Sequence, residues 1–481
     1  MRGLTTLALG AVGCLIGRSL AVPTPVVIVT PGDASDVVIS SNNTVNATAP
    51  APSTPPSTKS HTIVTPRDTA DTVITARNVL NATTSGSAAD ANLVGRSTGQ
   101  LPLSLVNNFA GSINAYVTGL DVNGRLVMLQ PDGTFLYPSC DSAQSTPQLI
   151  TDNIAIPLGA KGSTLNITIP GYISAARVWF AAGDLKFFAV WNPATNAPSL
   201  VEPSSVNPSD PSAAVNWGFV ELTYVENGGL YANISYVDFV GLILGMSLAV
   251  TDGSGTQSAL GLAADAISNI CSALESQGKS DGQEWGNLCM ADSEGNLLRV
   301  IAPSDYVSSN PDAFSTFWNE YIDDVWEQFT TDVLSIDTQM SAGIVNCTVQ
   351  TDDLLHCDGD SRGYAKPVAA DIFGCNTGPF GIEAGDNDVH SAVVPRLCAA
   401  FDRTTLSMEG GNIQPSLAAQ SYYQSAPTNW YSKFVHQHEV DGKGYAFSYD
   451  DVNPDGDVNQ SGVVASANPE TLTVIVGGPL S

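Results

Sequence analysis

Two carboxylates lie within stretches whose other residues favour strands. In residues 216–244, NWGFVELTYVENGGLYANISYVDFVGLIL, Glu221 and Asp238 each sit among Val, Phe, Tyr and Ile. Residues 217–225 and 230–240 read as two strands, because β-branched and aromatic side chains suit a pleated, half-buried surface. Between them, Glu226-Asn227-Gly228-Gly229 supplies dipeptides that tolerate the positive φ of a tight hairpin. Two acids set across a hairpin can divide the work of a hydrolysis. One protonates a leaving oxygen while the other activates water, which requires roughly 6.5–9.5 Å between them in an inverting glycoside cleavage.

Hairpin register decides whether the acids can cooperate. With Gly228-Gly229 as a two-residue turn, Glu221 faces Tyr236 and Asp238 lies diagonally on the same face, roughly 7–8 Å away. With Asn227-Gly228 as the turn, the pair slips to an offset of four residues, more than about 13 Å, too far without a bulge. A third arrangement is a half-buried hairpin whose acids are only rim charges. The sequence leaves all three open.

The elements that must position this hairpin follow from local patterning. Short candidate strands at 101–107, 115–120, 126–129, 154–158, 164–169, 176–181 and 187–191, separated by Gly, Pro, Asn and Asp, suggest a sandwich or barrel. Apolar residues at helical spacing predict helices over 257–274 and 311–339. From Trp430 onward the pattern reads as β again, through 445–449 and 471–476, returning to the first sheet system. The expected fold class is thus mainly β with an α/β part. Its expected segments are a β-barrel or sandwich over 96–250, a mixed α/β insertion over 251–425 and a β return over 426–481.

The N-terminal region differs. Arg2, the apolar run 4–16 and Ser19-Leu20-Ala21 read as a secretory signal over residues 1–21. Residues 22–95 are rich in Pro, Thr and Ser, and 28–48 match 63–83 at 12 of 21 positions. Two copies are too few for a solenoid, and disorder or short isolated strands are expected there.

Of the eight cysteines, Cys14 leaves with the signal, and seven remain for three disulfides and one thiol. Cys271 with Cys289 and Cys347 with Cys357 are local pairings. Sequons at Asn42, Asn46, Asn81, Asn166, Asn233, Asn346 and Asn459 fit a glycosylating secretory route, with Asn233 expected to stay unmodified near the site. The formal charge of −29 becomes −31 once Arg2 and Arg18 are removed, which disfavours nucleic acid and anionic lipid as partners. No membrane anchor is expected: the apolar run 237–250 is interrupted by Gly241, Gly245 and Ser247. A secreted, extracellular monomer acting on a neutral polymer fits these features.

NWGFVELTY, NISYVDFVG, FDRTTL and YAFSYDDV together resemble glycoside hydrolase family 64, over about residues 100–481. The resemblance implies a secreted endo-β-1,3-glucanase that inverts the anomeric centre, needs no cofactor and releases short laminari-oligosaccharides. It also implies a thaumatin-like β-sandwich or barrel beside the α/β part, with a wide groove for a β-1,3-glucan chain. Glu221 then stands as general acid and Asp238 as general base. Thr223, Asn227, Tyr231 and Ser235 would contact substrate, with Tyr231 in place of a tryptophan and Ser235 in place of a threonine. Asp450 and Asp451 match aspartates that would bind sugar hydroxyls. The alternative is a non-catalytic β-1,3-glucan-binding thaumatin-like protein, which has no need for the acid pair.

Two further patterns partly match metal sites. Asp451, Asn453, Asp455 and Asp457 match half of a calcium loop, but Gly462 stands where the bidentate Glu belongs. His436 and His438 would share one strand face as a metal pair, yet no third ligand is near. Neither is assigned a metal.

Overall fold

The computed structural model describes residues 99–479 except 227, 457 and 458, and the backbone of two short strands, Val37–Ile39 and Val45–Ala47, which pair antiparallel. The segment expected to be a signal and the rest of the N-terminal region, including the remainder of the repeat, lie outside the described residues.

Two sheets carry the β part. Strands β1 (Leu101–Asn107), β2 (Asn114–Leu120), β3 (Leu126–Leu129), β4 (Thr164–Ile169), β5 (Ile173–Ala181), β6 (Trp217–Val225) and β7 (Gly229–Ile234) follow one another along the chain, with shorter pieces between. After them come β8 (Phe239–Val240), β9 (Leu244–Val250) and β10 (Thr256–Ala259). One sheet runs β7, β6, β5, β2, β3, and its outer neighbour beyond β7 is Val464–Ser466. The other runs β10, β9, Pro469–Val476, β1, β4. The C-terminal strand Pro469–Val476 thus lies between β9 and β1, parallel to β1. Inward residues of both sheets, among them Leu103, Leu105, Val220, Leu222, Met246 and Val474, belong to one apolar core.

The helical part differs from its sequence-based outline. Residues 257–274 divide between β10 and a helix, α1 (Ala266–Asp281). Gly261 at φ 72° breaks the run, and a Cβ there would collide with the Leu244 carbonyl. Residues 311–339 contain only α2 (Asn319–Gln328), followed by strand Leu334–Asp337. Trp285, Phe314, Trp318 and Phe373 pack ring against ring, so the aromatic stripe is core. A longer helix, α3 (Asp388–Asp402), has an interior Pro395.

The tail begins as a helix, α4 (Trp430–His438), rather than a strand, and 445–449 form a single bridge at Tyr445 followed by bends and a turn. His436 and His438 are therefore two residues apart on a helix and cannot share a face. Among the described residues three disulfides join Cys271–Cys289, Cys347–Cys357 and Cys375–Cys398, leaving Cys140 as a half-buried thiol.

Candidate active site

Strand alternation builds one face of the site. On β6, Trp217, Phe219, Glu221 and Thr223 point one way, while Val220 and Leu222 point to the opposite face. Antiparallel pairing sets Arg177 of β5 opposite Glu221 on one side and Asn233 of β7 opposite it on the other. The register corrects both hairpin alternatives. Val225 pairs with Gly229 across a three-residue loop, so Glu221 faces Asn233 rather than Tyr236. Gly229 is no turn residue: at φ 75° it admits Ser466 of the neighbouring strand, whose carbonyl a Cβ would strike.

The second strand is also shorter than 230–240. It stops at Ile234, because the next backbone groups pair elsewhere: Tyr445 N–H donates to the Ile234 carbonyl (3.0 Å) and Tyr236 N–H to the Tyr445 carbonyl (2.7 Å). The chain then bends and β8 joins a different sheet, against Leu297–Ile301. Asp238 reaches the site from that bend rather than along a straight strand. Its carbonyl accepts from Ala302 N–H (2.7 Å), tying it to the helical turn Pro303–Ser309.

Glu221 is 2% exposed. Arg177 donates to its Oε1 from Nε (3.2 Å) and Nη2 (3.1 Å), and Asn233 Nδ2 donates to Oε2 (3.2 Å). Burial pushes the Glu221 carboxyl up; Arg177 pulls against this and the nearby Asp238 charge adds to it. The outcome is an acid held above its usual range, as a proton donor needs.

Arg177 lies over the Phe219 ring, 4.4 Å from its centroid, and its Nη1 donates to Glu202 Oε2 at 2.5 Å. Burial also pushes Glu202 up, with Arg177 opposing. A small cavity beside this group is lined by Arg177, Trp217, Phe219, Asp238 and Asp305. Asp238 is 8% exposed.

Among the expected substrate contacts, Thr223 and Tyr231 lie directly opposite each other on the Glu221 face. Thr223 Oγ1 accepts from Ala175 N–H (3.3 Å), at the bulge of β5. Ser235 sits at the end of β7, bridged to Tyr445. Asn227 lies outside the described residues.

Asp450 and Asp451 do not reach the surface. Asp450 is fully buried: Oδ1 pairs with Arg403 (3.2 Å), while Oδ2 pairs with His436 (3.2 Å) and accepts from Ala446 N–H (2.6 Å). Burial opposes its charge, but those partners hold it below the usual carboxylate range. Asp451 is 1% exposed, and burial pushes it up to about 7 against the pull of Arg396 and Arg403. The YDDV segment thus folds back as an internal clamp.

Of the calcium-loop residues, Asp455 Oδ1 accepts from Gln339 (2.9 Å), and Asp457 is outside the described residues. Among the described residues no three His, Cys, Asp or Glu side chains gather as a metal site, and no helix is long and apolar enough to cross a membrane.

Sequence reasoning missed Arg177, Glu202 and Asp305, and placed Asn233 near the site only as a sequon. A signal for the first existed: in AARVWF a cation stands inside an apolar strand, in a chain with 18 Lys and Arg against 47 acids. Such a group needs a buried acid as partner.

Residues 99–476 match the glycoside hydrolase family 64 model, described as Beta-1,3-glucanase. Two relatives named glucan endo-1,3-beta-glucosidase, from Arthrobacter sp. (strain YCWD3) and Cellulosimicrobium cellulans, are each 27% identical over 305 residues. That is 62% of this chain and 52% of each relative, so the chain covers about half the length of the curated relatives it matches. The fold is similar to a laminaripentaose-producing beta-1,3-glucanase in complex with laminaritetraose, with a TM-score of 0.67 and 26% identity over 79% of this chain and 98% of that one. It is also similar to a GH64 beta-1,3-glucanase domain from Clostridium beijerinckii, with a TM-score of 0.61 and 21% identity over 79% and 99% of the two chains.

Proposed function

The chain belongs to glycoside hydrolase family 64, and on that premise we propose that it is a secreted endo-β-1,3-glucanase that hydrolyses its substrate with inversion. One observation supports the reading: two buried carboxylates, Glu221 and Asp238, lie near enough for the Asp238 charge to act on Glu221, and Glu221 is held above its usual range. In the proposed step Glu221 gives its proton to the glycosidic oxygen as the C1–O bond breaks. Water attacks C1 from the opposite face and loses a proton to Asp238. Thr223, Tyr231 and Ser235 would line the sugar path from the Glu221 face, and short laminari-oligosaccharides would be released.

The proposal extends to the architecture. The two sheets form a thaumatin-like unit over 96–250 and 426–481 with β10 as an added edge strand, the rest of residues 251–425 forms the mixed α/β part, and a wide groove between them takes the glucan. A monomer exported through the secretory route is the matching cellular form. The three disulfides favour an oxidising compartment.

One observation favours a glucan-binding protein without catalysis. Both Glu221 oxygens are already engaged, by Arg177 and Asn233, and Glu221 does not line the cavity that Asp238 lines. Catalysis would require the substrate to displace Asn233 from Oε2. The test is incubation of the purified protein, Glu221→Gln and Asp238→Asn with linear β-1,3-glucan. Soluble oligosaccharides from wild type alone support the enzyme; binding to the polymer with no release by any of the three supports the binding protein.

A further inference from the structure

We propose that Glu202 is a positioning residue for Glu221: by taking the charge of Arg177, it leaves Glu221 as the carboxylic acid. The inference rests on the reading of Glu221 as general acid. Its basis is a count of buried charge. One guanidinium, 5% exposed, lies between Glu202 at 4% and Glu221 at 2%. A single buried cation balances one of two buried carboxylates, and the second must keep its proton or find another cation.

The contact lengths say which is which. Arg177 Nη1 approaches Glu202 Oε2 to 2.5 Å, whereas its contacts with Glu221 Oε1 are 3.1 and 3.2 Å. Charge-assisted bonds are the shorter ones, so the ion pair is Arg177 with Glu202. Glu221 Oε1 accepts two N–H groups, which leaves Oε2 to carry the proton. Oε2 accepts a single N–H, from Asn233 at 3.2 Å, and so has room for the proton beside it.

The other charged groups around Glu221 agree with this assignment. Asp238, on the bend after β7, is an acid whose charge disfavours a second anion. The Tyr445 phenol, from the turn beyond α4, is near enough to feel Glu221 and is itself held neutral by burial. Arg177 cannot swing away from the pair, because Phe219 and Trp179 lie under its guanidinium at 4.4 and 5.5 Å. Glu202 is 4% exposed and bonds to Arg177, so it acts through that guanidinium.

The experiment uses the whole protein and Glu202→Gln, which keeps an acceptor for Arg177 and removes the charge. Carboxyl carbons of 13C-labelled Glu are titrated by NMR, alongside pH profiles of glucan hydrolysis. In Glu202→Gln, Arg177 turns its charge to Glu221, so the Glu221 titration and the basic limb of kcat/KM both move down by at least about one pH unit. KM stays within about twofold, since no sugar contact is touched. In wild type, which needs no variant to fold, Glu202 titrates below Glu221. An unmoved Glu221 titration in the variant, or Glu221 ionising before Glu202 in wild type, overturns the proposal. If the titration moves but wild type leaves glucan intact, the charge assignment stands and the glucanase reading is what fails.

Discussion

Asn233 and Glu221 are directly cross-strand from one another, with the amide donating to Oε2 at 3.2 Å in the interior of the protein. The pairing links a glycosylation sequon to the acid of the site. Asn233 is 3% exposed, so its side chain is closed to modification once the chain has folded. Peptide mapping of the purified protein should find this asparagine bare, in contrast to exposed Asn166 and Asn346. Glycan on Asn233 in folded, active material would contradict the pairing.

Removing that amide has a signed consequence. The Asn233 hydrogen bond lowers the Glu221 pKa, so Asn233→Ala should move the basic limb of the activity profile upward. It should also destabilise the protein by about 1–3 kcal/mol, the usual effect of leaving a buried acceptor unpaired. Urea denaturation and a pH–rate profile measure the two effects separately.

How far the sequence carries can be seen in this hairpin. Residues 217–225 read as a strand from composition alone and form one with the same bounds, as do 101–107, 126–129 and 164–169. Each has alternation or apolar content that a local rule can detect. The register was not legible, because Gly229 serves the approach of Ser466, more than 200 residues away in sequence. The same holds for the end of β7, which is fixed by Tyr445. Arg177 was detectable as an oddity, but its two partners, Glu221 on β6 and Glu202 just past the strand Ala197–Val201, are united only by the fold. The DDV aspartates misled for a related reason: an acidic motif in a turn resembles a binding site until Arg403 and His436 are seen beneath it.

The His436–Asp450 clamp predicts a pH dependence of stability. Burial works against the His436 charge, but Glu439 and Asp450 flank the ring at 2.9 and 3.2 Å and hold it protonated up to about 10. A raised folded pKa gives stability that is complete below the unfolded value, about 6.5, and is lost as pH rises through the folded one. Asp450 is held low and gives the opposite limb, stability lost as pH falls through its folded value. The ion pair is therefore fully effective between about pH 4 and 6.5. His436→Gln should cost about 3–5 kcal/mol near pH 6, as for other broken buried pairs, and much less near pH 10. Melting curves across that range test it; a constant gap would contradict the assignment.

The disulfide joining Cys271 to Cys289, 18 residues apart, ties α1 to the strand that follows it. Replacing both cysteines by Ala should lower stability by about 3 kcal/mol on chain-entropy grounds. Glu221 and Asp238 lie outside that loop, so activity per folded molecule should persist. Denaturation midpoints and specific activity report the two separately.

Glu221→Gln and Asp238→Asn should each lower kcat by about a hundredfold or more, the usual contribution of a positioned acid or base. The first minutes of a β-1,3-glucan digest, followed by proton NMR at the anomeric carbon, test the pairing of these two acids most directly. Water entering from the Asp238 side opposite the departing sugar requires the α-anomer to appear first and to mutarotate later. If the β-anomer appears first, the glucan is cleaved with retention, and Asp238 is not the base that this account makes it.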